Sequence, residues 1–120
     1  MNVLIVEDDG IVRSALARIA SRYFDEVADV DDADSALVRI NEKPPQVLLT
    51  DWDLGGELSG IDVANYVQGY CPECKVVLIT GNSLTQLKAL SEHLDVYAYL
   101  AKPFNLDSIR SVLQEIVLKH

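Results

Sequence analysis

The sequence predicts an α/β domain built as a five-stranded, doubly wound parallel sheet. Three observations predict it. Short apolar runs at residues 3–6, 47–50, 76–79 and 96–101 read as buried strands. Longer segments with apolar residues three or four apart lie between them and read as amphipathic helices. The connections are short, and strands alternating with helices over short loops imply a parallel sheet. Right-handed crossovers then place helices on both faces. A chain of 120 residues with 49% hydrophobic content suits one domain with a sizeable core.

The elements follow in order. Residues 2–6 form the first strand, and residues 11–23 a helix with Val12, Leu16, Ile19 and Ala20 inward. Residues 26–30 are a weaker strand. Asp31 and Asp32 cap a helix over residues 33–40, with Ala36, Leu37 and Ile40 inward. Pro44-Pro45 stops that helix, and residues 46–50 form the third strand. A glycine-containing loop over residues 51–59 leads into a helix carrying Ile61, Val63, Ala64 and Val67. After the fourth strand, Asn82 or Ser83 caps a helix with the stripe Leu84, Leu87 and Leu90. The fifth strand ends at Ala101. Asn105 caps the last helix, whose stripe is Leu106, Ile109, Val112, Leu113 and Ile116. There is no repeat, low-complexity segment or linker, so residues 1–120 read as one domain without a second.

The 19 acidic against 10 basic residues give a net charge of -9. That balance opposes direct nucleic-acid binding, which needs a basic footprint. It suits a cation site or a basic partner surface. No apolar run reaches the roughly 18 residues of a membrane span. Met1 leads into a strand without a leader segment, so the expected location is cytoplasmic. Cys71 and Cys74, in Cys-Pro-Glu-Cys, read as two reduced thiols, because a single CxxC lacks the second ligand pair of structural zinc. His93 reads as a solvated helix residue, and His120 has no assignable role.

Candidate functional groups fall at the C-terminal ends of four strands: Glu7-Asp8-Asp9, Asp51, Thr80 and Lys102. In an open parallel sheet, ligands bind outside the carboxyl ends of the strands. One acid of the triplet is accounted for by helix capping, but three consecutive acids repel unless a cation offsets them. Oxygen ligands of this kind suit Mg²⁺ or Mn²⁺. Asp51 fits a nucleophile that forms an acyl phosphate. Lys102 and the Thr80 hydroxyl fit contacts to phosphoryl oxygens.

With these anchors in this order, from Val3-Leu4-Ile5-Val6-Glu7-Asp8-Asp9 through Asp51 and Thr80-Gly81 to Lys102-Pro103-Phe104, the whole chain resembles the receiver domain of bacterial two-component response regulators. The resemblance implies a flavodoxin-like fold with strand order 2-1-3-4-5. It implies a Mg²⁺-dependent phosphoacceptor, not an enzyme, that takes its phosphoryl group from a sensor histidine kinase or phosphotransfer protein. Asp51 would be the acceptor. Asp8, Asp51 and the Asp53 backbone carbonyl would bind metal directly, and Glu7 through water. Asp9 would matter less. Thr80, Lys102 and the switch aromatic Tyr99 would respond to phosphate, with Tyr99 moving from exposed to buried and Tyr97, on the same side of the strand, sharing the role. The Lys102–Pro103 peptide would be cis. The surface of the fourth helix, fifth strand and fifth helix would then be read by an effector domain or a second copy. Asp53 and Asn82, two residues after the acceptor and the switch hydroxyl, would tune autodephosphorylation. The loop at residues 54–60 is one residue longer than in chemotaxis-type receivers.

Two rivals remain. Leu49-Thr50-Asp51-Trp52-Asp53 is similar to the nucleophile motif of haloacid-dehalogenase-like phosphatases, with the second Asp as general acid. A degenerate receiver would be a phosphorylation-independent interaction module.

Overall fold

The computed structural model describes residues 1–119, so His120 lies outside the described residues. Five strands, β1 (Asn2–Val6), β2 (Glu26–Val30), β3 (Val47–Asp51), β4 (Lys75–Thr80) and β5 (Val96–Ala101), alternate with five helices. The helices are α1 (Gly10–Ala20), α2 (Ala33–Glu42), α3 (Gly60–Tyr70), α4 (Leu84–Leu90) and α5 (Leu106–Leu118). All strand pairs are parallel, in the order β2-β1-β3-β4-β5, as the resemblance implies.

The alternation of side chains along each strand builds two cores. Val3, Ile5, Leu49, Val77 and Ile79 pack on α1 and α5 through Leu16, Ile19, Ile109, Leu113 and Ile116. Leu4, Val6, Leu48, Val76 and Leu78 pack on α2, α3 and α4 through Ala36, Ile40, Val63, Val67 and Leu87. Central strands covered on both faces read as continuous apolar runs, which is why β1, β3 and β4 were plain in the sequence.

The differences from expectation have local causes. α1 ends at Ala20, not residue 23. The Ser21 hydroxyl donates to Arg18 O, and the backbone N–H groups of Tyr23 and Phe24 both donate to Ala20 O, turning Phe24 into the core. α2 continues to Glu42, two residues past Ile40, and Asp32 caps it by accepting from Ser35 N at 2.7 Å. β3 is shifted one residue forward, so Asp51 is its last member, opposite Ile79 on β4. Ser83 caps α4. Of the stripe expected there, only Leu87 is buried, and Leu90 is 49% exposed. His93 is exposed in the turn after α4 rather than in the helix.

The largest departure is in β5. Val76 pairs with Val96 but Val77 pairs with Ala98, so Tyr97 is an extra residue in the ladder. Such a bulge puts neighbouring side chains on one face and breaks the period of two. Tyr97 and Ala98 join the α1/α5 core, whereas Tyr99 joins the α2/α3/α4 core. The expectation that Tyr97 and Tyr99 share a face is therefore corrected.

Candidate functional site

The parallel register brings the ends of β1, β3, β4 and β5 to one rim. Glu7 follows β1 and is fully buried; Asp51 ends β3 and is 5% exposed. Lys102 follows β5 and extends across β4. Its Nζ lies 2.8 Å from Glu7 Oε1 and 2.9 Å from Asp51 Oδ2. The Lys102 backbone N–H donates to Thr80 O at 2.7 Å, which fixes the root of the side chain. The Lys102–Pro103 peptide is cis. Asp8 is exposed, and carboxylate oxygens of Glu7, Asp8 and Asp51 lie within 4.8 Å of one another.

The acid triplet divides its labour. Asp9 is the cap of α1: its Oδ1 accepts from Ile11 N at 2.9 Å and Val12 N at 3.1 Å. Glu7 Oε2 accepts from Asp9 N at 3.1 Å, while Oε1 has the Lys102 ammonium beside it but no well-directed hydrogen bond. Burial pushes the Glu7 carboxyl above its ordinary range, reinforced by the nearby Asp51 charge and opposed by Lys102 and the Asp9 N–H. Burial alone would lower the Lys102 ammonium, but its contacts to Glu7 and Asp51 prevail and hold it above its ordinary value. Three clustered carboxylates with one lysine are short of positive charge, and one buried oxygen lacks a directed donor. This donor set fits a hard divalent cation.

Thr80 is 1% exposed, and its Oγ1 accepts from Asn82 N at 2.9 Å, so the hydroxyl is held towards the β4–α4 loop. Asp53 and Asn82 are both exposed and line a cleft of about 210 Å³ together with Trp52. The Asp53 carboxylate accepts from Gly55 N at 3.1 Å, which shapes the loop. Tyr99 is already half-buried rather than exposed, and its phenol lies 2.7 Å from Ser91 Oγ. Tyr97 bonds instead to Glu115 on α5. That bond raises the phenol of Tyr97 and lowers the carboxyl of Glu115. Among the described residues, Cys71 and Cys74 belong to no metal-sized cluster. Burial pushes both thiols up, Cys74 to about 12.

Three supporting residues escaped the sequence reading. Arg13 Nη1 donates to Glu7 O at 2.9 Å, and its Nε pairs with Asp29 at 3.2 Å, tying the Glu7 backbone to β2. Gly60 lies so close to β3 that a Cβ there would stand 2.0 Å from Asp51 O. Gly55, with φ 74°, passes Asp8, and a Cβ there would sit 3.6 Å from Oδ2. Only the glycines of the β3–α3 loop gave a hint.

The family profile described as the response regulator receiver domain matches residues 3–114. The chain belongs to that family. Sensory transduction protein LytT of Bacillus subtilis is 31% identical to this receiver domain over 96% of the chain. The chain spans only 47% of LytT, and 24% of the nitrogen assimilation regulatory protein NtrX of Azorhizobium caulinodans. It spans 96% of the response regulator receiver protein CpdR of Brucella abortus, at 28% identity over 97% of the chain. The crystal structure of the receiver domain of NtrX from Brucella abortus superposes with a TM-score of 0.86 at 28% identity, covering 98% of this chain and 99% of that one. Receiver domains of this family generally serve signal transduction as phosphoacceptor switches rather than as catalytic enzymes. The matches favour neither the phosphatase nor the degenerate module. Among the described residues, no helix is long and apolar enough to cross a membrane.

Proposed function

We propose that Asp51 accepts a phosphoryl group from the phosphohistidine of a sensor histidine kinase or phosphotransfer protein, and that this switches the surface of α4, β5 and α5. The observation that supports this best is the Lys102 ammonium lying between Glu7 and Asp51, beside three clustered carboxylates. Lys102 holds one Asp51 oxygen and the other attacks phosphorus. The O–P bond forms as the N–P bond breaks, and the imidazole leaves with the electron pair and takes up a proton. Positioning and charge neutralisation dominate such a transfer.

Lys102 then shifts its contact to a phosphoryl oxygen, and the Thr80 hydroxyl turns from Asn82 to donate to another. Glu7 through water, and Asp8, Asp51 and the Asp53 backbone carbonyl directly, would hold Mg²⁺ or Mn²⁺. When bound, the ion supplies positive charge beside the phosphoryl oxygens. Asp53 and Asn82, which share the cleft beside the acceptor, set the lifetime of phospho-Asp51. Unchanged autodephosphorylation in Asp53→Ala and Asn82→Ala would remove that role.

Residues 1–120 are read as a single domain acting in the cytoplasm, serving an effector domain or a second copy. The acidic balance supports a protein reader over direct nucleic-acid or membrane contact. The test is incubation with acetyl phosphate and Mg²⁺, followed by intact-mass measurement. A gain of one phosphoryl group, absent without Mg²⁺ and in Asp51→Asn, is expected. No gain in folded protein would favour the phosphorylation-independent module.

A further inference from the structure

Ser91 is a polar side chain in the core. It is fully buried at the C-terminal end of α4, and its hydroxyl donates to Leu87 O at 2.7 Å. A serine hydroxyl has one hydrogen to give. With that hydrogen committed to Leu87, the 2.7 Å contact to Tyr99 must run the other way: the phenol donates and Ser91 Oγ accepts. Lys88 Nζ lies over the same ring, 5.5 Å from its centroid. Tyr99 is thus gripped from α4 at two successive positions on one helical face. α4 has little else holding it, because Leu87 is its one buried residue.

The direction of this grip matters. α4 starts just beyond Thr80 at the functional rim and runs away from it, and its seven residues span about 10 Å. Ser91 therefore sits far from the rim, and a phenol bonded to it cannot fill space behind Thr80. In the same structure the Thr80 hydroxyl is engaged with Asn82 N and not with Asp51. The two observations describe one state: the Thr80 hydroxyl held by Asn82 N and Tyr99 latched to the far end of α4.

We propose that Ser91 is the positioning residue for Tyr99, latching its ring in the unphosphorylated arrangement and coupling its release to movement of α4. This rests on the phosphoacceptor reading above. The latch stabilises the state that phosphorylation must leave, so removing it shifts the population towards the phosphorylated form. One net hydrogen bond corresponds to about a fivefold change in the apparent affinity for a phosphoryl mimic.

The test is beryllofluoride titration at saturating Mg²⁺, with Trp52 fluorescence as the signal, on the wild type, Ser91→Ala, Tyr99→Phe and the double variant. Each single variant is expected to bind about fivefold more tightly, with Mg²⁺ affinity unchanged, and the double variant no more tightly than either single. Unchanged affinity in Tyr99→Phe, or additive effects in the double variant, would overturn the latch. Tyr99→Phe keeps the ring, so it carries the test if Ser91→Ala does not fold. Hydrogen exchange at α4 in Tyr99→Phe needs no phosphoryl chemistry. Faster exchange at Leu87 to Ser91 is expected, and no change overturns the latch by itself. Faster exchange in a protein whose wild type binds no beryllofluoride would overturn the phosphoacceptor reading and leave Ser91 as the anchor of α4.

Discussion

α3 and α4 pack on the same face of the sheet and are held there in different ways. α3 buries Gly60, Val63, Ala64 and Val67, and a reciprocal capping box between Ser59 and Asp62 fixes its start. Its first residue closely approaches the backbone of β3 at Asp51. α4 buries one leucine, and a serine at its end takes the phenol of Tyr99. The difference separates two tasks. Under the proposed phosphotransfer, the β3 side must keep Asp51, Glu7 and Lys102 in register, and it is bound by close backbone approach and apolar burial. Under the same proposal the α4 side would move for a modest free energy, and it is held by contacts worth about 1 kcal/mol each.

The largest effect is expected from Gly60→Ala. The new methyl would meet Asp51 O at 2.0 Å and the Asp51 carbonyl carbon at 2.9 Å, both of them backbone atoms. Denaturation in urea should show a loss of about 3 kcal/mol, as overpacking against immovable neighbours does. A variant as stable as the parent would mean that α3 is not clamped to β3.

The next largest effect pairs Val67→Ala with Leu87→Ala. Val67 belongs to the rigid helix, so its truncation should cost about 2 kcal/mol of global stability. Leu87→Ala should act locally instead, accelerating amide exchange in α4 well beyond its effect on the urea midpoint. Equal protection of α3 and α4 in the parent protein would contradict the division.

A smaller effect sharpens the reading of β5. Tyr97→Phe removes a hydroxyl that faces α5, and it should leave beryllofluoride affinity unchanged while Tyr99→Phe increases it. The smallest expected effect is chemical. Cys74 is 3% exposed, with its thiol pushed up to about 12 by burial, so at neutral pH it should resist alkylation until the protein unfolds. Cys71 is the more accessible of the two and should label first.

The same contrast explains what could be read from the sequence. β1, β3 and β4 announce themselves because burial on both faces demands continuous apolar runs, and the rim acids and Thr80 follow from where those runs stop, as Lys102 does from the end of β5. The α4 stripe misled because Leu84, Leu87 and Leu90 have helical spacing on a helix that turns one of them inward. The placement of Tyr97 was hidden because a bulge arises from pairing between strands, which a period-two reading of one strand cannot register. Ser91 was silent, and Gly60 gave no more than the hint of a loop glycine, for a related reason. A serine in a polar stretch and a glycine in a loop look ordinary until the chain brings Tyr99 and Asp51 against them.

Asp51, clustered with Glu7 and Asp8, is proposed as a phosphoacceptor beside a bound cation. Trp52, beside Asp51 and lining the adjoining cleft, is the single tryptophan and a built-in probe. The most direct measurement is its fluorescence during Mg²⁺ titration, followed by addition of beryllofluoride. Saturable changes for both, with the beryllofluoride response abolished in Asp51→Asn, are predicted. A folded protein whose Trp52 responds to neither ligand, or an Asp51→Asn variant that responds like the parent, would contradict the account.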